Sequence, residues 1–130
     1  MAIQLKRAYE KPHRSDGFRV LIDRVWPRGV RKEDLKLDEW LRSLAPSTEL
    51  RQWFGHDPGK WDQFRKRYFR ELAAHPEEIQ RLRAKMREGP LTIVFGSREE
   101  RFNNAAALKE YLEARPARTR RSGRPLVAAR

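Results

Sequence analysis

The chain contains no cysteine. Disulfides, thiolate metal centres and a cysteine nucleophile are therefore excluded. Histidine is scarce: His13, His56 and His75 stand far apart in the chain. No metal site and no cofactor are expected from so sparse a ligand set. Long apolar runs are missing too. None approaches the roughly 20 residues of a membrane-spanning helix. The opening residues, MAIQLKRAYE, lack the apolar centre of a secretion signal. The expectation is a cytoplasmic protein with no membrane partner. GxGxxG, the Walker-type phosphate loop, GxSxG and HExxH are all absent. No signature of a nucleotide-binding fold or a hydrolase is written in the chain.

What is present is charge. Of 130 residues, 37% are charged, the formal net charge is +12, and the mean hydropathy is −0.93. Such polarity leans towards disorder, but four Trp, six Phe and three Tyr recur at strand or helix spacing, as in a packed core. The length suits one domain. Residues 115–130, RPARTRRSGRPLVAAR, hold six Arg and no acid, half of the net charge. The expected organisation is an α/β domain over 1–114 followed by an Arg-rich, flexible tail over 115–130. Through its basic surface and tail the chain is also a candidate for nucleic-acid binding by counterion release.

Alternation of side chains predicts strands at 2–9 and at 18–23, FRVLID, with the latter inside the sheet because Leu21 makes its second face apolar. LTIVF at 91–95, between Gly-Pro and Gly-Ser, reads as a strand buried on both faces. Helical spacing appears as a short turn at 32–35 and as Leu37, Trp40, Leu41 and Leu44. Ser47 or Thr48 is placed to cap the next helix. Asp57-Pro58 then opens a helix whose stripe is Trp61, Phe64, Tyr68 and Leu72. His75-Pro76 starts another helix, with Ile79, Leu82 and Met86 inward, and Gly89-Pro90 stops it. Ser97 with Glu100 reads as a capping box for a last helix lined by Phe102, Ala105, Leu108 and Leu112. The fold class is therefore α/β, a small, mainly parallel sheet of three or more strands packed with several helices.

Ligands of open α/β sheets bind beyond the carboxyl ends of the strands. Two segments land there: DRVWPRGV at 23–30 and Gly96-Ser97. Arg24 and Arg28 offer planar forks suited to phosphate or carboxylate, and Arg7 on the first strand adds charge. Ser97 offers a hydroxyl at a helix start, although capping its own helix is the competing role. Asp23 is either a salt-bridge anchor or a functional carboxylate, and beside Arg its pKa is expected to fall. Trp26 suits packing better than ligand stacking. His56, in WFGHDP, is the one side chain tuned for proton transfer near neutrality. Asn103 and Asn104 are poor helix formers, and one of them is expected to point to the strand ends. Tyr68 is a possible neighbour. The expected ligand is a small phosphate- or carboxylate-bearing molecule such as a nucleotide. Whether catalysis occurs is open, with His56 and Asp23 its candidates. The alternative is a basic nucleic-acid-binding module without catalysis. Its candidate surface is Arg65, Lys66, Arg67 and Arg70, which equally suit a solvated helix face.

Four ordered motifs, RVLIDRVWPRGV, LDEWLRSLAPSTELRQWFGHDPGKW, FRKRYFREL and GPLTIVFGSREERFNNAAALKEYLE, resemble the YeaO-like family, domain-of-unknown-function family 488. The resemblance covers nearly all of 1–114 and leaves the Arg-rich tail outside. It implies a small bacterial or archaeal α/β domain and no established activity. It also implies family-typical positions at Asp23, Arg24, Trp26, Pro27, Arg28, Gly29, Trp53, His56, Asp57, Tyr68 and Asn104. The chain departs from the family at Phe102, where relatives often carry a His before the Asn pair.

Overall fold

The computed structural model describes residues 3–114. The Arg-rich segment 115–130 lies outside the described residues. Among those described, four strands, β1 (Ile3–Arg7), β2 (Phe18–Leu21), β3 (Glu39–Trp40) and β4 (Leu91–Phe95), form one sheet in the order β1-β4-β2-β3. Every pairing is parallel: Ile3 pairs with Leu91, Phe18 with Leu91, and Val20 with Glu39. The α-helices are α1 (Lys32–Leu35), α2 (Thr48–Phe54), α3 (Trp61–Ala73), α4 (Pro76–Glu88) and α5 (Asn104–Glu113).

The strand period of two sorts side chains to opposite faces. Ile3, Val20, Leu91, Ile93 and Phe95 join the apolar sides of α2 to α5 in the larger core. Leu21 and Val94 face the other way, into a smaller cluster with Leu35, Trp26 and Trp40. β4 is buried at all five positions, because it has a strand on each edge and cover on each face. β2 is likewise internal, flanked by β4 and β3. The α3 stripe is as expected: Phe64, Tyr68 and Leu72 are at most 2% exposed.

Two expectations are corrected. Residues 37–44 are not one helix: Glu39–Trp40 is the edge strand β3, and Arg42–Leu44 is a 3-10 turn. The four apolar side chains do not share one face. Leu37 and Trp40 pack into the smaller cluster, while Leu41 and Leu44 enter the larger core. A helix with all four in one stripe cannot serve both sides of a sheet, whereas an extended segment does so at adjacent positions. The Leu41 N–H donates to the Leu21 carbonyl, and Asp38 Oδ2 accepts from the Arg19 N–H.

The last helix does not begin at Ser97. It begins at Asn104, with Asn103 as its cap, Oδ1 accepting from the Ala106 N–H at 2.8 Å. Side chains take the local backbone donors before a helix can use them. Ser97 Oγ accepts from Glu99 N–H, the Glu99 carboxylate accepts from the N–H groups of Arg101 and Phe102, and Asn103 Nδ2 donates to the Glu99 carbonyl. Such local bonds compete with helix formation. They keep residues 97–103 as a loop over the strand ends.

Candidate functional site

Parallel strands place the residues after β2 and after β4 at one edge of the sheet. Asp23 follows β2 and Gly96 follows β4, and the two meet directly. Asp23 Oδ2 accepts from the Gly96 N–H at 2.7 Å, and Oδ1 accepts from Asn104 Nδ2 at 3.1 Å. A Cβ at position 96 would stand 3.2 Å from Asp23 Oδ2, so the glycine permits this approach. One carboxylate thus ties both chain segments to the start of α5. The Gly96 N–H is thus occupied by Asp23 rather than open to a ligand. Asn104, rather than Asn103, is the Asn that reaches the strand ends.

Beside this junction lies a cavity of about 370 Å³. Its inner wall is aromatic, formed by Phe54, Phe64 and Phe102. The Phe54 and Phe64 rings are 4.5 Å apart between centroids, and Phe102 packs edge-on against Trp61. Asp23, Ser97 and Asn104 form the half-buried part of the wall, while Arg24, Arg51 and His56 stand exposed at the opening. Of the residues selected from sequence, Asp23, Arg24, Ser97, Asn104 and His56 therefore line one cavity.

Arg7, Arg28 and Tyr68 do not line it. Arg7 Nε donates to the Ser97 carbonyl at 3.0 Å and its guanidinium covers the Tyr9 ring, so it braces the loop from behind. Arg28 is exposed, and its carbonyl accepts from the Tyr9 hydroxyl. Tyr68 is fully buried and donates to the Leu44 carbonyl at 2.6 Å. It borders a neighbouring cavity of about 290 Å³ that Arg24 also lines. Burial, with the negative charges of Asp23 and Glu71, pushes the Tyr68 phenol well above its ordinary value. Trp26 packs edge-on against Trp40 and donates to the Val30 carbonyl, which is the packing role.

The expected drop in the Asp23 pKa is overturned. Burial pushes the carboxyl up, and the bonds from Asn104 and Gly96 and the charge of Arg51 offset this only in part. The reason is geometric: Arg24 turns away to donate to the Pro46 carbonyl at 3.3 Å, and no ion pair to Asp23 forms among the described residues. Since the folded-state pKa is raised, the ionised Asp23 weakens the fold as pH rises through that pKa.

Sequence reasoning missed Arg51. It is exposed on α2, one turn before the left-handed Gly55. Its side chain has no hydrogen-bond or ion-pair partner among the described residues. It follows the inward Leu50 and precedes the inward Phe54, and only the packing of α2 brings position 51 to the cavity that Phe54 and His56 line, which no local pattern records.

His56 itself adopts φ +59°, directly after Gly55 at φ +54°. The left-handed region costs a side-chain-bearing residue roughly 1–2 kcal/mol, and Asn bears that cost best. Urea denaturation should therefore find His56→Asn within about 0.5 kcal/mol of the parent and His56→Val destabilised by about 1–2 kcal/mol. Equal effects from the two would mean that the exposed ring, not the backbone, sets the energetics at 56.

The basic run on α3 is partly spoken for. Arg65 pairs with Asp62 and Glu110, and Arg67 stacks on Trp53 at 4.2 Å. Lys66 and Arg70 are exposed. No helix among the described residues is long and apolar enough to cross a membrane.

The chain is 42% identical to the uncharacterized protein YeaO of Escherichia coli (strain K12), over 88% of this chain and 99% of that one. It is 37% identical to the uncharacterized protein Rv3073c of Mycobacterium tuberculosis (strain ATCC 25618 / H37Rv), over 87% of this chain and 95% of that one. The uncharacterized protein Mb3100c of Mycobacterium bovis (strain ATCC BAA-935 / AF2122/97) matches with the same identity and coverage. No solved structure matches the chain. Residues 2–128 match the family model DUF488-N3i, described as the inactive DUF488-N3 subclade, and the chain belongs to this YeaO-like DUF488 family.

Proposed function

We propose that this protein is a binding module, not a catalyst, and that it holds a small phosphate- or carboxylate-bearing molecule in the cavity at the strand ends. The observation that carries the reading is the convergence of Arg24, Arg51 and His56 on one cavity of about 370 Å³. Guanidinium forks recognise such anions by paired, charge-assisted hydrogen bonds, and Arg51 has no competing partner among the described residues. Binding without turnover is supported by the family's description as an inactive subclade. A nucleic-acid role draws on the net charge of +12. It has less support on α3, where Arg65 and Arg67 are already engaged.

A thermal-shift screen of nucleotides, phosphosugars and small dicarboxylic acids tests the reading. At least one should stabilise the protein, and Arg51→Ala should remove that shift, weakening binding by about tenfold or more, as for a lost charge-assisted pair. A screen in which none acts, or in which Arg51→Ala changes nothing, overturns it. Turnover of any bound compound would overturn the non-catalytic part alone.

A further inference from the structure

The wall of the cavity changes character with depth. Arg24, Arg51 and His56 are exposed, Asp23 and Phe102 are half-buried, and Phe54 and Phe64 are 5% and 2% exposed. An anion satisfies only the outer zone. Placed against Asp23 it would meet a like charge in a partly desolvated setting, which is unfavourable. Asp23 instead asks for a donor. A carboxylate has about four acceptor positions, and Gly96 N–H and Asn104 Nδ2 use one on each oxygen. Beside Asp23 the deeper wall is made by the rings of Phe54, Phe64 and Phe102, flat apolar surfaces against which another ring packs favourably.

We infer that the cavity takes its ligand in one orientation: a flat aromatic heterocycle bearing an amino group enters first, with the amine donating to Asp23 and the ring among Phe54, Phe64 and Phe102, while its phosphate stays outside with Arg24 and Arg51. This is the chemical plan of an amino-bearing nucleoside monophosphate, and the inference rests on the anion-binding reading above. The volume of about 370 Å³ is at the small end of ligand pockets. It suits one base and one phosphate rather than a dinucleotide.

Isothermal titration calorimetry at fixed ionic strength separates the elements. The probes are AMP and CMP, the matching monophosphates whose ring lacks the amine, and ribose 5-phosphate. AMP or CMP should bind at least tenfold tighter than both its amine-less counterpart and ribose 5-phosphate. Asp23→Asn should shrink the preference for the amine, read as the ratio of AMP affinity to that of its amine-less counterpart on the same variant, so that any general change in the cavity cancels. If Asp23→Asn fails to fold, the comparison of probes on the parent protein still decides. Ribose 5-phosphate binding as tightly as AMP and CMP, or an amine-less ring binding equally well, overturns this inference and leaves anion binding standing. Failure of every phosphate probe to bind overturns the inference. If the dicarboxylic acids fail as well, anion binding falls with it.

Discussion

Gly17→Ala should destabilise the protein by about 4 kcal/mol or more, a loss of the size seen when backbone strain and a collision coincide. Gly17 has φ +67° and ψ −134°, a region open essentially to glycine alone. An added Cβ would stand 2.2 Å from the Pro90 carbonyl oxygen. That same oxygen accepts from the Phe18 N–H at 3.0 Å, the bond that starts the pairing of β2 with β4. Relief of the clash must push the two strands apart where they begin. A thermal melt should show a fall of more than about 10 °C in Tm. Gly89→Ala is the control. Gly89 has φ 167°, an extended conformation, and no atom within 4 Å of an added Cβ, so its melt should stay close to that of the parent. Equal melts for both variants would show that the approach of Gly17 to Pro90 is not what restricts position 17.

Asp16→Asn should cost about 3–5 kcal/mol, the usual loss when a buried ion pair keeps one partner. The Asp16 carboxylate is 1% exposed and lies 2.6 Å from Arg19 and 2.9 Å from Lys6. It also accepts from the His13 N–H. Arg19 is itself buried, and its remaining donors go to the Leu35 carbonyl. An amide at 16 removes the charge that balances this guanidinium and turns an NH2 group towards donors. Burial pushes the Asp16 carboxyl up, but the bonds and charge of Lys6, the His13 N–H and Arg19 outweigh it and hold it below the ordinary 3.8. A pKa lower in the folded than in the unfolded state gives stability that is complete above the unfolded value and is lost as pH falls through the folded one. The gap between parent and Asp16→Asn in urea denaturation should therefore be full at pH 7 and narrow below about pH 4. A gap of constant size from pH 7 to pH 3 would refute the ion pair as its source.

The sequence was most legible where one physical cause acted alone. LTIVF between Gly-Pro and Gly-Ser has a single reading, a strand covered on both faces, and that is β4. Trp61, Phe64, Tyr68 and Leu72 share a single stripe because α3 meets the core on one side. LDEWLRSL was misread because its spacing satisfies a helix, while its neighbours require side chains on both sides of the sheet. Nothing local records that requirement. Ser97 was misread because a serine three residues before a glutamate caps a helix in isolation, and here Glu99 claims the donors first. Asp23 and Asn104 were legible as polar residues at strand ends. That they would bond each other, leaving Arg24 to the Pro46 carbonyl, depends on how α5 and the loop before α2 sit. Arg51 was hidden for the same reason, since only the packing of α2 brings it to the cavity.

The register Ile3 to Leu91 also governs the order in which the molecule can be made. A ribosome delivers β1 first and β4 late, and β4 is the strand that both β1 and β2 require. Until then the emerging chain has only the two-residue match of β2 with β3, so its first strand waits with open backbone groups. Pairings so distant along the chain fold slowly, and a nascent chain stopped at Gly89 has only that two-residue match on which to lay its helices.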